Sequence, residues 1–226
     1  MKYLRKFENE GDVFMTVKPN VVLVKNTNKV IYNAVVPDGI YIQHIDGNLY
    51  TTDEWTAGGF TNDLANGVAV ASSGVQFVVA KTDASSNATW SSSTANAVEI
   101  AGIMLTADET LAKTDYAGEI NTNKIVAADS GATAAMACDS YIFPNGKKGY
   151  LPAMGELNII NMFMTAFNEA VTLIEGATLY NAHYWSSTQY NTSKAWRFNP
   201  STGVFIGASK AGYGESRNYV RACTTL

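Results

Sequence analysis

Short apolar, β-branched runs broken by turn residues dominate the first hundred positions. Val21-Val22-Leu23-Val24 and Val30-Ile31-Tyr32 flank the polar Lys25-Asn26-Thr27-Asn28-Lys29, a hairpin pattern, and Pro37-Asp38-Gly39 punctuates after it. Gly39-Ile40-Tyr41-Ile42 and Asn48-Leu49-Tyr50-Thr51 stand on either side of Asp46-Gly47, a dipeptide suited to the positive φ of a tight hairpin. Val68–Val70 and Gln76–Ala80 add strands, and the polar loop Thr82–Ala95 follows. Val98–Leu105 and Lys124–Ala128 read as further strands or as segments embedded in loops.

The pattern then changes period. An Ala-rich helix is expected over about Ser130–Asp139, with Asp129 or Ser130 as its N-cap. A second helix is expected to start near Pro152, which suits a first turn. It places Leu157, Ile160, Met164 and Phe167 on one stripe, widened by Ile159 and Phe163. After Glu175-Gly176 the chain returns to strands and loops through Leu226. The fold class is therefore α+β. Residues 38–226 are expected to form the main domain, and 1–37 a β segment that must dock on that domain or on a neighbouring subunit, since two strands alone bury too little.

Composition fits this picture. The chain has 226 residues, 46% of them hydrophobic, enough for one large core. Charged residues are only 16% while small polar ones are abundant, a mixture common in extracellular and virion β-rich proteins. A formal charge of −4 provides no basic face for nucleic acid. No run of 18 apolar residues exists to span a membrane. The first ten residues carry basic side chains with no apolar stretch behind them, unlike a signal peptide. Either the chain works without such export, the favoured reading, or a leader has been removed.

Catalytic and metal chemistry is sparse. His44 and His183 have no Cys, His or carboxylate partner at metal-ligand spacing, so no metal site is expected. Asp108-Glu109 lacks the alternating ligands and central Gly of a calcium loop. Gly212-Tyr213-Gly214 has no strand-turn-helix context. The expectation is a protein that is not an enzyme and needs no cofactor.

Gly149-Tyr150-Leu151-Pro152-Ala153-Met154-Gly155-Glu156-Leu157, Tyr184-Trp185-Ser186-Ser187-Thr188, Ala195-Trp196-Arg197-Phe198 and Tyr219-Val220-Arg221-Ala222-Cys223 together resemble the C-type-lectin-like fold. The similarity is to its bacterial and phage branch, with the pattern WRLPT-x-x-EL, WSST, AW and VR. That branch includes ligand-binding proteins diversified by retroelements. Ala153 stands where the family has a capping Ser or Thr, a loss of roughly 1 kcal/mol. The resemblance implies two helices, long loops, chain ends close together, and a pairing of Cys138 with Cys223 in an oxidising compartment. In a reducing cytosol the same positions are two buried thiols.

The resemblance also assigns Trp185, Trp196, Phe198 and Tyr219-Val220-Arg221 to the frame, with Arg221 anchoring a loop or the terminus. Ligand contact falls to the loop set Tyr190, Asn191, Arg197, Asn199, Phe205, Tyr213, Glu215, Arg217 and Asn218. This mixture of Tyr, Arg and adaptable polar residues is the one that paratopes use. His183, next to Tyr184-Trp185, is either at this face or a packed histidine. The calcium-binding triplets of sugar-binding relatives are absent, and so are the paired late cysteines of formylglycine-generating relatives. Residues 1–37 are similar to the opening of structural proteins of gut bacteriophages. The implied function is recognition of a host-surface protein or glycan by a phage tail receptor-binding protein, located in the virion, with the N-terminal segment on virion or tail proteins. A homotrimer would suit a fibre tip. The resemblance further implies that the C-terminal loops are open to sequence diversification. The alternative is a bacterial surface adhesin or pilus-tip-like protein of the same fold, with an enzyme of the formylglycine-generating type behind it.

Overall fold

The computed structural model describes residues 21–26, 29–34, 36–179, 181–211 and 218–226. Strands β1 (Val21–Asn26) and β2 (Lys29–Ala34) pair antiparallel, Asn26 facing Lys29, as the sequence predicts. The main body starts with β3 (Gly39–His44), β4 (Leu49–Tyr50) and helix α1 (Thr52–Gly58). β3 and β4 pair across the Asp46-Gly47 turn, where Gly47 takes φ +90°. Thr51 and Glu54 form a reciprocal capping box at the start of α1, and Gly59 closes it with φ +65°. A short 3-10 turn leads into β5 (Ala65–Ser72) and β6 (Val75–Val79), joined through Ser73-Gly74. β7 (Ser85–Ala88) lies inside the segment expected to be loop.

Three helices follow: α2 (Glu109–Ala112), α3 (Gly118–Ala128) and α4 (Thr133–Asp139). Helix α3 corrects the expected strand or loop at Lys124–Ala128. Its buried side chains are Asn121, Thr122 and Ile125, so its inward face is largely polar and shows no apolar period. The expected cap of α4 is also corrected. The Asp129 carboxylate accepts from Ser91 Oγ and from the Ser92 and Gly131 backbone N–H groups, and the helix starts at Thr133. The long stripe is two helices, α5 (Met154–Met162) and α6 (Met164–Leu173), meeting at Phe163. Nothing in the sequence marks that break.

Pro152 lies just before the α5 N-cap, not in its first turn. The missing hydroxyl at Ala153 is replaced from elsewhere. Thr188 Oγ1 accepts the Met154 N–H at 2.9 Å, the Asp115 carbonyl accepts Gly155 N–H at 2.8 Å, and Glu156 accepts Ala153 N–H at 2.6 Å. Three donors at the helix start are thus paired without a local cap.

The chain finishes with β8 (Tyr184–Gln189), β9 (Lys194–Asn199), β10 (Val204–Ser209), β11 (Asn218–Val220) and β12 (Cys223–Thr225). Among the described residues, the body holds two five-stranded sheets. The first has the order β12-β6-β5-β3-β4 and is antiparallel; the second has the order β10-β9-β8-β11-β7, with β11 parallel to β8. Gly39 pairs with Ala71, Ala71 with Gln76, and Thr225 with Phe77, so entry and exit sit at the same end of the first sheet.

β5 is buried along its whole length because each face meets a different core. Val68 and Val70 pack with Ile42, Trp55, Leu157, Phe167, Trp196 and Phe198, while Ala69 and Val78 pack with Trp90, Ile125, Cys138, Leu151 and Trp185. Gly67 is required there: a Cβ would lie 2.4 Å from the Val79 carbonyl oxygen.

Arg221 ties the second sheet to the connections around it. Its Nε donates to Asp83 at 2.6 Å, and one terminal nitrogen donates to the carbonyls of Ala80, Lys81 and Ala177. The residue is only 2% exposed, so removing the guanidinium takes the charge partner from the Asp83 carboxylate and a donor from three carbonyls in low dielectric. Arg221→Met is expected to lower the unfolding free energy by about 3–5 kcal/mol, read from urea denaturation midpoints.

Candidate ligand-binding face

All six residues of β8 are buried, and four of them are polar. Ser186 Oγ donates to the Trp196 carbonyl, Thr188 Oγ1 to Asp115, and Asn121 Nδ2 to both Ser187 Oγ and Asp115. Gln189 accepts the Ile100 N–H at 2.9 Å and donates to the carbonyls of Ile100 and Ile103. The strand is fixed from α3, from α5 and from the segment 98–106. β9 pairs on it and β10 pairs on β9, leaving β10 as the sheet edge.

Strand alternation then sorts the side chains. Trp196, Phe198 and Phe205 face inward, and Phe205 stacks on Phe198 with ring centroids 4.7 Å apart. Arg197 and Asn199 face the other way, opposite Ile206 and Val204. Val204 is 51% exposed and Ile206 45%. Arg197 donates to Asn218 Oδ1 at 3.0 Å, which brings the first residue of β11 to the same face.

Two of the expected ligand residues, Arg197 and Asn199, therefore lie beside two exposed apolar side chains, while Asn218, which holds the Arg197 guanidinium, is itself only 2% exposed. Phe205 does not join them. Its ring belongs to the core, with Lys113 Nζ 4.6 Å from its centroid, because residue 205 falls on the inward register. Tyr190 and Asn191 lie at the other end of the meander, in the β8–β9 turn. Tyr190 packs edge-on against Trp196 at 4.8 Å, over Gly207, where a Cβ would meet the ring at 2.5 Å. The Asn191 carboxamide shapes the turn by accepting the Ser193 and Lys194 N–H groups. Tyr213, Glu215 and Arg217 lie outside the described residues. Val204 and Ile206 carry no local sequence signal that separates an exposed apolar residue from a core one.

The frame residues Trp185, Trp196, Phe198 and Val220 are buried. His183 is half-buried beside the start of β8, and its carbonyl accepts the Tyr219 N–H. His44 sits with Tyr50, Trp55 and Phe60, its Nδ1 2.9 Å from Asp46. Asp108 caps α2 by accepting the N–H groups of Thr110 and Leu111. No group of three His, Cys, Asp or Glu side chains is placed to hold a metal among the described residues. Cys138 and Cys223 are buried free thiols, both pushed up by burial and so held as unreactive thiols. A shallow recess of about 650 Å³ lies along α6, lined by Thr165, Asn168, Glu169, Thr172 and Leu173, and includes none of the expected ligand residues. No helix among the described residues is long and apolar enough to cross a membrane.

No family model and no curated protein matches the sequence. Among solved structures, a fimbrial protein from Bacteroides ovatus ATCC 8483 is similar, with a TM-score of 0.58 at 14% identity. The match covers 84% of this chain and 49% of that one, so the chain spans about half the length of its structural neighbour. At this identity the likeness concerns the fold alone.

One buried acid gives a test of the frame. Glu156 accepts from Tyr150 OH at 2.7 Å as well as from Ala153, but burial dominates and, with Asp115 and Glu119 nearby, raises its carboxyl to about 8. The native state then holds this proton more tightly than the unfolded chain does. Its contribution is fully present below about pH 4.3 and is lost as the pH rises toward 8. The slope in mid-window is on the order of 1.4 kcal/mol per pH unit. The stability difference between wild type and Glu156→Gln, measured by urea unfolding from pH 4 to 9, is expected to shift steadily against wild type across this window.

Proposed function

We propose that the protein is a non-enzymatic ligand-binding module of the bacterial cell surface, an adhesin or pilus-associated domain of C-type-lectin-like fold. The observation that carries this reading is the outer face of β9 and β10. There Val204 and Ile206 stand exposed beside Asn199 and Arg197, the latter held by the buried Asn218, on a backbone fixed by the buried β8 network. Apolar area with polar hydrogen-bonding groups on a rigid sheet suits a flat macromolecular or glycan surface better than a small enclosed substrate. The fold likeness to a fimbrial protein supports the cell-surface setting. The motif set Trp185-Ser186-Ser187-Thr188, Ala195-Trp196 and Val220-Arg221 supports the finer fold reading.

A second reading, a phage tail receptor-binding protein, is favoured by the similarity of residues 1–37 to phage structural proteins. It uses the same face, and labelling separates the two. Antibody against the domain decorates bacterial cells in the first case and purified virions in the second.

The binding test uses protein displayed multivalently on beads, since weak single sites gain from avidity. Beads are screened against mucin, extracellular-matrix proteins and a glycan array. Binding that Ile206→Asp weakens tenfold or more, with an unchanged thermal midpoint, is the expected outcome. Equal binding by wild type and variant would place the ligand elsewhere on the domain.

A further inference from the structure

Lys210 follows directly on the edge strand β10, and its side chain is fully buried. Its Nζ lies 2.7 Å from the Val98 carbonyl, 2.7 Å from Gln189 Oε1 and 2.9 Å from the Thr192 carbonyl. It also stands over the Trp90 ring, 4.6 Å from the centroid. These groups come from three separate stretches of chain: the segment after β7, the interior strand β8, and the β8–β9 turn. All three acceptors are neutral oxygens.

We propose that Lys210 is a positioning residue whose ammonium group acts as an internal cation, clamping the segment 90–106 and the turn 190–193 onto the sheet that carries the binding face. The inference rests on the face assigned to β9 and β10 above.

The count of protons favours the charged form. An ammonium has three N–H donors and no lone pair, and three oxygens are placed to receive them. A neutral amine has two donors and would turn a lone pair toward the third oxygen. The Trp90 face supplies further negative potential to a desolvated cation. Burial pushes the lysine down to about 8, with Glu99 the acid whose charge opposes that shift, so the ammonium still predominates at neutral pH.

The clamp also reaches beyond its own three acceptors. Gln189 Oε1 takes both Lys210 and the Ile100 N–H, and the Gln189 backbone carries Met104 and Thr106. Thr106 in turn accepts Trp196 Nε1 at 2.9 Å, directly beneath β9. The Lys210 carbonyl accepts Ser91 N–H, and its own N–H bonds to Ser193. One residue therefore links both connections at the end of β9 and β10 away from Asn199 and Val204.

The test is hydrogen–deuterium exchange on wild type and on Lys210→Met, which keeps length and apolar stem but removes every donor. In wild type, the Ile100 and Thr106 amides are expected to be protected to the level of β8 and β9. Exchange there as fast as in an exposed loop overturns the clamp without any variant. In Lys210→Met, amides in 98–106 and 190–194 are expected to exchange at least tenfold faster, with β5 and β6 unchanged. Unchanged exchange at 98–106, or a uniform rise across the molecule, overturns the proposal in favour of general core packing. Tenfold weaker ligand capture by Lys210→Met beads accompanies the local effect if the clamp steadies the sheet that carries the site. A local rise with capture intact leaves the clamp standing and overturns its effect on the site, which separates its failure from that of the binding reading.

Discussion

A strand with four consecutive polar side chains in the protein interior is a demand for partners, and most of this structure is arranged to meet that demand at β8. Each buried donor or acceptor left alone there would cost about 1–3 kcal/mol. Ser186, Ser187, Thr188 and Gln189 find their partners in β9, α3, the 115–118 turn, the start of α5 and the segment 98–106. Those contacts do not merely offset desolvation. They are directional, so satisfying them all fixes where each contributing segment lies relative to the sheet. Apolar packing around Trp185 and Trp196 supplies the bulk of the burial, while the polar strand sets the register of what packs.

The same network explains how α5 starts on an alanine. The cap that is absent from position 153 is present at Thr188, thirty-five residues later in sequence but adjacent in space. Glu156 supplies the reciprocal half and is held protonated by its surroundings. The first turn of α5 is thus completed by a strand that follows it in sequence.

Legibility in the sequence follows from how local each signal is. The β3–β4 hairpin, β5 and β6, α4 and the α5–α6 stripe were readable because turn chemistry and apolar period are local properties. Helix α1 carried a readable signal as well, the Thr51-x-x-Glu54 box, but it adjoins a strand and was absorbed into it. Helix α3 was hidden because its buried face is Asn121 and Thr122, whose reason for burial is Asp115 and Leu151, not its own neighbours in sequence. For the candidate face, residue types were readable but their direction was not. Phe205 and Ile206 are adjacent, and only the pairing with Phe198 and Arg197 decides which points inward. Lys210 carried no signal at all, since nothing along the chain distinguishes a buried lysine from a solvated one.

The first sheet receives the body at Gly39 and releases it at Thr225, at one end and three strand spacings apart, or about 14 Å. In mechanical terms, β3 and the outer face of β9 and β10 belong to different sheets. A pull applied at residue 38 enters at β3, whose ladders to β4 and β5 bear it first. The β9–β10 face lies off that line of load, coupled to it by packing and not by a shared ladder.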